Sequence, residues 1–534
     1  MGRFASWTPF VEVERFRDDE AAILERHFTN IDGPVFAIVN LPEVVKGALF
    51  ARYSRSPKSL RRLFLDEFAE NPEVVQDHSF NATVGLRRAE ELYDRVFYEY
   101  GDDSVAQLGG VHLACEHASN LLTKVLEWGR LMSYLEQSTR YISYGGRTTG
   151  RFRYHRPADV LMSPLGVRFI LAMDSLFKAY YDIVSGVEES LKAIHDVNRS
   201  RALRQAVRAK ALDAARGVLP AASLSNVGIY GTGQGYEQLL LRMRAHPLPE
   251  ARAYADLMLT ELRKVIPSFL KRVDLADRGG AWSAYLASTR EAMAGLAAEL
   301  FAGEEPAPSP EVRLVDHDPE AETKLVTAML YPYTTLPEDQ VEKRVRGMGA
   351  DERMAVVRAY VGERANRRHK PGRALERVAY RFDVLADYGA FRDLQRHRML
   401  TIEWQALSPR HGYDRPAAVD AAGLDGAFDE AMDRSAALYE ALAERFPEQA
   451  AYAVCLAYRV RFSMQLNARE AMHLIELRTT TQGHPAYRRI GQEMHRLIEE
   501  EAGHPAVAEM MRFADHSPSR SPDVLHFFLA NVTV

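Results

Sequence analysis

The run Phe301-Ala-Gly-Glu-Glu-Pro-Ala-Pro-Ser-Pro310 decides how this chain is organised. Prolines at alternate positions lock φ and remove backbone donors, so the run reads as an extended connection. It separates two large parts, 1–302 and 313–534, with a linker at 303–312. Upstream, residues 165–195 and 250–302 carry apolar side chains at helical spacing, and 424–445 and 486–502 do so downstream. Strand signals are fewer. In Val378-Ala-Tyr-Arg-Phe-Asp-Val384 the alternation puts Val378, Tyr380, Phe382 and Val384 on one face, and Val111-His-Leu-Ala-Cys115 is a weaker counterpart. An Arg-bearing segment follows each strand, and each half later has a helical stretch ending in Leu-Arg, at Leu241-Arg242 and Leu477-Arg478. The two parts read as a diverged internal repeat of helix-rich α+β character.

At 534 residues the chain exceeds what one hydrophobic core supports, and 47% hydrophobic with 26% charged residues is ordinary globular composition. Lys and Arg total 68 against 73 for Asp and Glu, so the net charge of -5 gives no chain-wide footprint for nucleic acid. Cys115 and Cys455 are too few for a disulfide framework and have no Cys/His cluster around them, which gives no metal site; in apolar surroundings both read as core thiols in a reducing cytoplasm. No run approaches the roughly 18–20 apolar residues a membrane helix needs, and Met1 to Phe10 lacks a signal-peptide core. The expectation is a cytoplasmic protein with neither membrane nor nucleic-acid partners.

Two clusters carry chemistry. Ser133-Tyr-Leu-Glu136-Gln-Ser138-Thr-Arg140-Tyr141 gathers hydroxyl and guanidinium donors that suit a phosphate, and a carboxylate that suits a sugar hydroxyl or an imide N–H. The bland alternative is a surface loop with an Arg/Glu ion pair. Arg396-His397-Arg398, preceded by Arg392, Asp393 and Gln395, sets two cations around an imidazole, an arrangement that a phosphate or a reduced flavin would compensate; its alternative is a solvated basic turn. The Arg-rich runs 198–204 and 364–369 read as ordinary charged faces.

The two clusters together resemble the motif R-H-R-x-x-S-x-N-E-x-S-x-R-Y of the flavin-dependent thymidylate synthases, the ThyX family. The first half matches from Arg130 onward, with Ser133, Glu136, Ser138, Arg140 and Tyr141 in register, but has Trp128 and Gly129 for the leading Arg-His and Leu135 for Asn. The second half keeps Arg396-His397-Arg398 and has Thr401, Glu403, Trp404, Ala406, Ser408 and Pro409 at the remaining positions. Asn467 to Arg478 resembles the family's asparagine-to-Leu-Arg helix, for which the first half has Gly231 and Arg242. Ala215-Arg216-Gly-Val-Leu-Pro220 resembles a nucleotide-contacting segment, with Tyr452 in the place of its arginine in the second half. Asp102-Asp-Ser104 and Leu375-Glu376 are weak echoes of two further family segments.

The resemblance implies two tandem ThyX-like units with small, mainly antiparallel sheets. It implies a flavin-dependent thymidylate synthase-like enzyme that methylates dUMP reductively to dTMP, with FAD as cofactor and NADPH and methylenetetrahydrofolate as co-substrates. Glu136, Ser138, Arg140, Arg216, Arg396 and Arg478 would bind the nucleotide, His397, Arg398 and Asn467 the flavin, and Arg396, His397 and Arg478 would serve catalysis. Each half would keep one side of a shared site, and a homodimer would form a pseudo-tetramer. The alternatives are a catalytically degenerate flavin- or nucleotide-binding paralogue, a flavin enzyme acting on another pyrimidine nucleotide, and a helical interaction protein.

Overall fold

A computed structural model describes residues 14–69, 107, 109–146, 150–197, 200–481 and 483–517. The Asp102–Ser104 echo lies outside these residues, whereas Leu375-Glu376 falls in a short 3-10 turn, Arg373–Arg377. Two four-stranded antiparallel sheets form the framework. The first, ordered β1-β2-β4-β3, comprises β1 (Val35–Ile38), β2 (Gly110–Ser119), β3 (Met132–Glu136) and β4 (Leu224–Thr232). The second, ordered β5-β6-β8-β7, comprises β5 (Val312–His317), β6 (Ala379–Asp387), β7 (Leu400–Trp404) and β8 (Arg459–Asn467). β2 and β6 are the two strands that alternation predicts, and Tyr380, Phe382 and Val384 are fully buried. Each such side chain contributes roughly 1.5–3 kcal/mol on burial.

The sheets repeat in strand order, and β3–β4 and β7–β8 pair residue for residue. The β2–β4 ladder runs from Gly110↔Thr232 to Ser119↔Leu224, and the β6–β8 ladder from Ala379↔Asn467 to Asp387↔Arg459. β2 carries one extra residue as a bulge, where His117 adopts a φ of +57°. Ser119 and Asp387 cap the following helices, Asn120–Leu126 and Tyr388–Leu394, and Thr232 and Asn467 cap Gly233–Arg244 and Ala468–Arg478. This register corrects the pairing of Gly231 with Asn467: the equivalent of Asn467 is Thr232, because the two side chains do the same capping work.

The helices follow the periodicity, with Gly166–Ile194, Pro249–Leu262, Ala281–Leu300, Asp425–Ala443 and Pro485–Arg496 in the expected stretches. The chain forms two compact units, neither continuous in sequence. Unit 1 contains 1–182, 218–305 and 429–455; unit 2 contains 183–217, 306–428 and 456–534. In each half the helical segment just before the β4 or β8 strand belongs to the other unit, so the membership crosses the linker. One residue read from sequence alone as part of a charged face proves buried. Arg364 is 1% exposed and forms a bidentate pair with Glu476 at 2.5–2.6 Å, not a solvated face. Cys115 and Cys455 are buried, as expected, and burial pushes both thiols up, Cys455 to about 12.

Candidate functional site

In unit 2 the Arg396-His397-Arg398 turn joins the helix Tyr388–Leu394 to β7, with both arginines at the surface and His397 buried beneath them. The imidazole is locked on two sides. Its Nδ1 lies 2.8 Å from Glu470 Oε1, and its Nε2 lies 3.0 Å from Arg478 Nε. A guanidinium N–H always donates, so Nε2 accepts and Nδ1–H donates to the carboxylate. The ring is therefore neutral: burial, reinforced by the Arg478 charge against the pull of Glu470, holds it down at about 4. Burial opposes ionisation of Glu470, but the bonds to His397 and His473 outweigh it and hold the carboxyl at about 2.

Arg478 also donates to Asp393 O at 2.5 Å and lies over the Tyr487 ring at 5.4 Å. Arg396 pairs with Asp393 Oδ1 at 2.6 Å. Asn467 accepts from Glu470 N–H at 2.9 Å, so its carbonyl oxygen caps the helix that presents Glu470, His473 and Arg478. His397, Glu470 and His473 bring three possible metal-ligand atoms within 4.8 Å of one another. Holding a cation there would require breaking the His397–Glu470 hydrogen bond and placing the ion beside a guanidinium, so the two uses exclude each other.

The equivalent turn of unit 1 is closed. Met132↔Gly231 and Leu400↔Leu466 are matched pairs, so Trp128, Gly129 and Arg130 stand for Arg396, His397 and Arg398. Arg242 lies over the Trp128 ring at 5.1 Å, and a Cβ on Gly129 would meet Tyr134 Oη at 2.6 Å. There is no room for an imidazole. At the end of β3 Glu136 is buried against Lys124 at 3.3 Å, and Lys124 also bonds Glu127 at 2.5 Å. The surface-loop alternative fails for Glu136, whose carboxylate is engaged inside unit 1. Ser138 Oγ accepts from Arg140 N–H at 3.2 Å in a local turn, and the Arg140 guanidinium lies 5.9 Å from the Tyr141 ring.

Arg216 lies elsewhere. It belongs to unit 2 and lines a cavity of about 470 Å³ whose wall includes Lys210, Gly217, Asp387, Asp414, Arg459 and Ala486. Arg459 opens β8 and Asn467 closes it, and eight residues of strand span about 26 Å, so within unit 2 this cavity and the His397 lock sit at opposite ends of the sheet. The expected convergence of Arg216 with Arg396 and Arg478 does not occur inside the unit. The cavity holds two unpartnered buried atoms, Arg216 Nη2 and Asp387 Oδ2. Asp387 Oδ1 accepts from Ala390 N–H at 2.9 Å, while burial pushes the carboxyl up to about 6 against the opposing Arg216 charge.

Glu470, Asp387 and Asp414 escape motif reasoning, since none belongs to the signature. One signal for the cavity was in the sequence: Tyr413-Asp-Arg-Pro416 repeats Tyr154-His-Arg-Pro157. The structure pairs these segments equivalently, by the bridges Tyr154↔Ser223 and Tyr413↔Tyr458.

The family described as thymidylate synthase complementing protein, Thy1, matches residues 48–268 and again 313–504. A UPF0159 protein of Chlamydia pneumoniae is 38% identical over 511 residues, covering 94% of this chain and 96% of its own. A UPF0159 protein of Thermoplasma acidophilum is 31% identical over 502 residues, covering 88% of this chain and 95% of its own.

Proposed function

Since the chain belongs to the thymidylate synthase complementing protein family, we propose that it is a tandemly duplicated, flavin-dependent thymidylate synthase-like enzyme converting dUMP to dTMP. FAD is its cofactor, and methylenetetrahydrofolate and NADPH are its co-substrates. The observation that carries this reading is the His397 lock. It fixes a neutral imidazole between Glu470 and Arg478 and so holds Arg396 and Arg398 on a rigid turn at the surface. Two presented guanidiniums fit the phosphates or the electron-rich pyrimidine ring of a flavin.

FAD would be held by Arg398, by the turn that His397 orients, and by the Asn467 amide, whose oxygen is spent on the cap. When bound, the flavin supplies hydride chemistry. Arg396 and Arg478 stabilise negative charge developing on a uracil ring beside it. Glu136, Ser138, Arg140 and Arg216 are the remaining nucleotide contacts in this reading. Arg216 and Arg478 stand at opposite ends of one sheet, so a site using both draws them from two chains, which favours a homodimer arranged as a pseudo-tetramer.

The test is a visible spectrum of the purified protein followed by tritium release from 5-labelled dUMP with FAD, methylenetetrahydrofolate and NADPH. A flavin spectrum with release is expected. Colourless protein that takes up no FAD sinks the reading. One observation favours a second possibility: Glu136 is paired with Lys124, and Trp404, Ala406 and Ser408 replace the family's Glu, Ser and Arg in the other half. Flavin binding without release, on dUMP or another pyrimidine nucleotide, would identify a degenerate binding paralogue.

A further inference from the structure

The units part company after one matched pair of helices. Pro249–Leu262 in unit 1 and Pro485–Arg496 in unit 2 both start on proline, with Glu250 and Ala486 as their second residues. Each segment then passes through a π turn, Ala276–Gly280 in unit 1 and Leu497–Glu501 in unit 2. The helix that follows in unit 2, Pro505–Met510, has six residues and buries Ala506, Val507, Ala508 and Met510. In unit 1 it is Ala281–Leu300, with 20 residues of which none is buried.

The amphipathic sense of this helix is inverted. Ser283 Oγ–H donates to Leu241 O at 3.2 Å and Arg290 Nη1–H to Ala245 O at 2.6 Å, so polar side chains hold it against the helix Gly233–Arg244 and its C-cap. Trp282, Tyr285, Met293, Leu296 and Leu300 instead face solvent, at exposures of 42–72%. At roughly 100° of turn per residue these five lie within about 60° of one line. A surface helix ordinarily turns such a stripe to its own core. Phe301, 67% exposed, extends the stripe at the C-terminal end. Large side chains of roughly 150–250 Å² each present roughly 700 Å² at these exposures, which exceeds the patch of an ordinary monomer.

We propose that this stripe is the contact surface for a second copy of the chain, with the two Ala281–Leu300 helices packed antiparallel about a two-fold axis. Area and charge both fit that occupant. Two copies of the stripe remove roughly 1,400 Å² from water, within the roughly 1,200–2,000 Å² of a specific interface. Exposed Glu299, Glu304 and Glu305 gather at the C-terminal end, where the helix dipole disfavours acids, and exposed Arg278 precedes the N-terminal end. Antiparallel pairing brings the acids of one helix to the N-terminus and Arg278 of the other, and lays Trp282 and Tyr285 on the partner's flexible Met293, Leu296 and Leu300. A lipid surface fits less well, since it calls for Lys and Arg along the polar face, and here that face carries Glu291 and Glu299 while Arg290 is engaged with Ala245. The helix lies between the two family-matched regions, 48–268 and 313–504, and contains none of the residues assigned to flavin or nucleotide. The contact therefore does not rest on the functional reading.

The experiment is sedimentation of the full chain at micromolar concentration. Leu296→Glu and Met293→Glu should each halve the mass of the assembly without lowering Tm, because both side chains are already exposed. Glu291→Lys, on the opposite side of the helix, should leave the mass unchanged. Because Cys115 and Cys455 are buried, Trp282→Cys and Leu300→Cys chains mixed and oxidised should form a disulfide-linked dimer that neither variant forms alone. A monomeric wild type, or a mass unchanged in both Glu variants, overturns the proposal. Wild-type binding to phosphatidylcholine–phosphatidylglycerol vesicles that Leu296→Glu abolishes, with no change in mass, also overturns it and identifies a lipid surface. Leu300→Cys cross-linking to itself overturns the antiparallel direction.

Discussion

Unit 1 and unit 2 share strand order, ladder register and capping positions, yet they treat the same two places oppositely. Unit 1 fills both: Trp128, Tyr134 and Arg242 close its turn, and Glu250, Tyr452 and His155 close its cavity. Unit 2 keeps an ionisable, solvent-facing turn and an open cavity with two orphaned polar atoms. The contrast teaches that a frame repeated within one chain can be closed by side chains at a position in one unit and left open at the matching position in the other. Glu250, Ser119 and Tyr452 satisfy one another in unit 1, whereas at the matching place of unit 2 Arg216 Nη2 and Asp387 Oδ2 lack a hydrogen-bond partner.

The largest effect that could break this contrast is in unit 1. Glu250→Ala strips partners from Ser119 and Tyr452 and leaves a cavity, so it should cost roughly 3–5 kcal/mol of stability in denaturant unfolding. A loss below about 1 kcal/mol would mean that the filled position carries little of that stability.

Asp387→Asn comes next. The folded carboxyl titrates near 6 against an ordinary 3.8, so burial penalises its charged form, with Arg216 opposing and Asp414 and Arg489 nearby. The protonated form is the one the fold tolerates. Stability is therefore full below about pH 4, falls as pH rises through 6, and is lowest above it, by about 3 kcal/mol at most. The amide can keep the cap to Ala390 while carrying no charge. The variant should be more stable than the parent at pH 8 and equal to it at pH 4, whereas Ser119→Ala in unit 1 should show no such pH dependence.

A smaller effect sharpens the comparison of the turns. His397→Gln loosens Glu470 and Arg478 together and should weaken FAD binding roughly ten- to a hundredfold by fluorescence titration. Smallest of all, Arg130→Ala should change FAD affinity less than about twofold, against about fivefold or more for Arg398→Ala. Equal losses at these matched positions would remove the asymmetry.

Much of the frame was legible because short-range patterns encode it. Alternation in 378–384 and helical spacing in the long stretches need only neighbours in sequence, and they foretold β6 and the main helices. The Arg-His-Arg turn was visible as a motif, but its state was not: a neutral, buried His397 depends on Glu470 and Arg478, distant in sequence. The equivalents of Asn467 and Tyr452 are Thr232 and Gly217, each one residue from the sequence pairing with Gly231 and Arg216, since they are set by strand pairing and hydrogen bonds between segments remote in the chain. Arg364 looked like a solvated charge because its partner, Glu476, lies far along the chain.

By itself the sequence determined membership of a family, a repeated α+β frame and the residue types at the motif positions, because these follow from local spacing and side-chain chemistry. Only the tertiary structure decided which copy of each position is full and which is open. That depends on whether Glu250 and Tyr452, or Ala486 and Gly217, meet at one point in space, and such meetings are fixed by packing among segments remote in the chain.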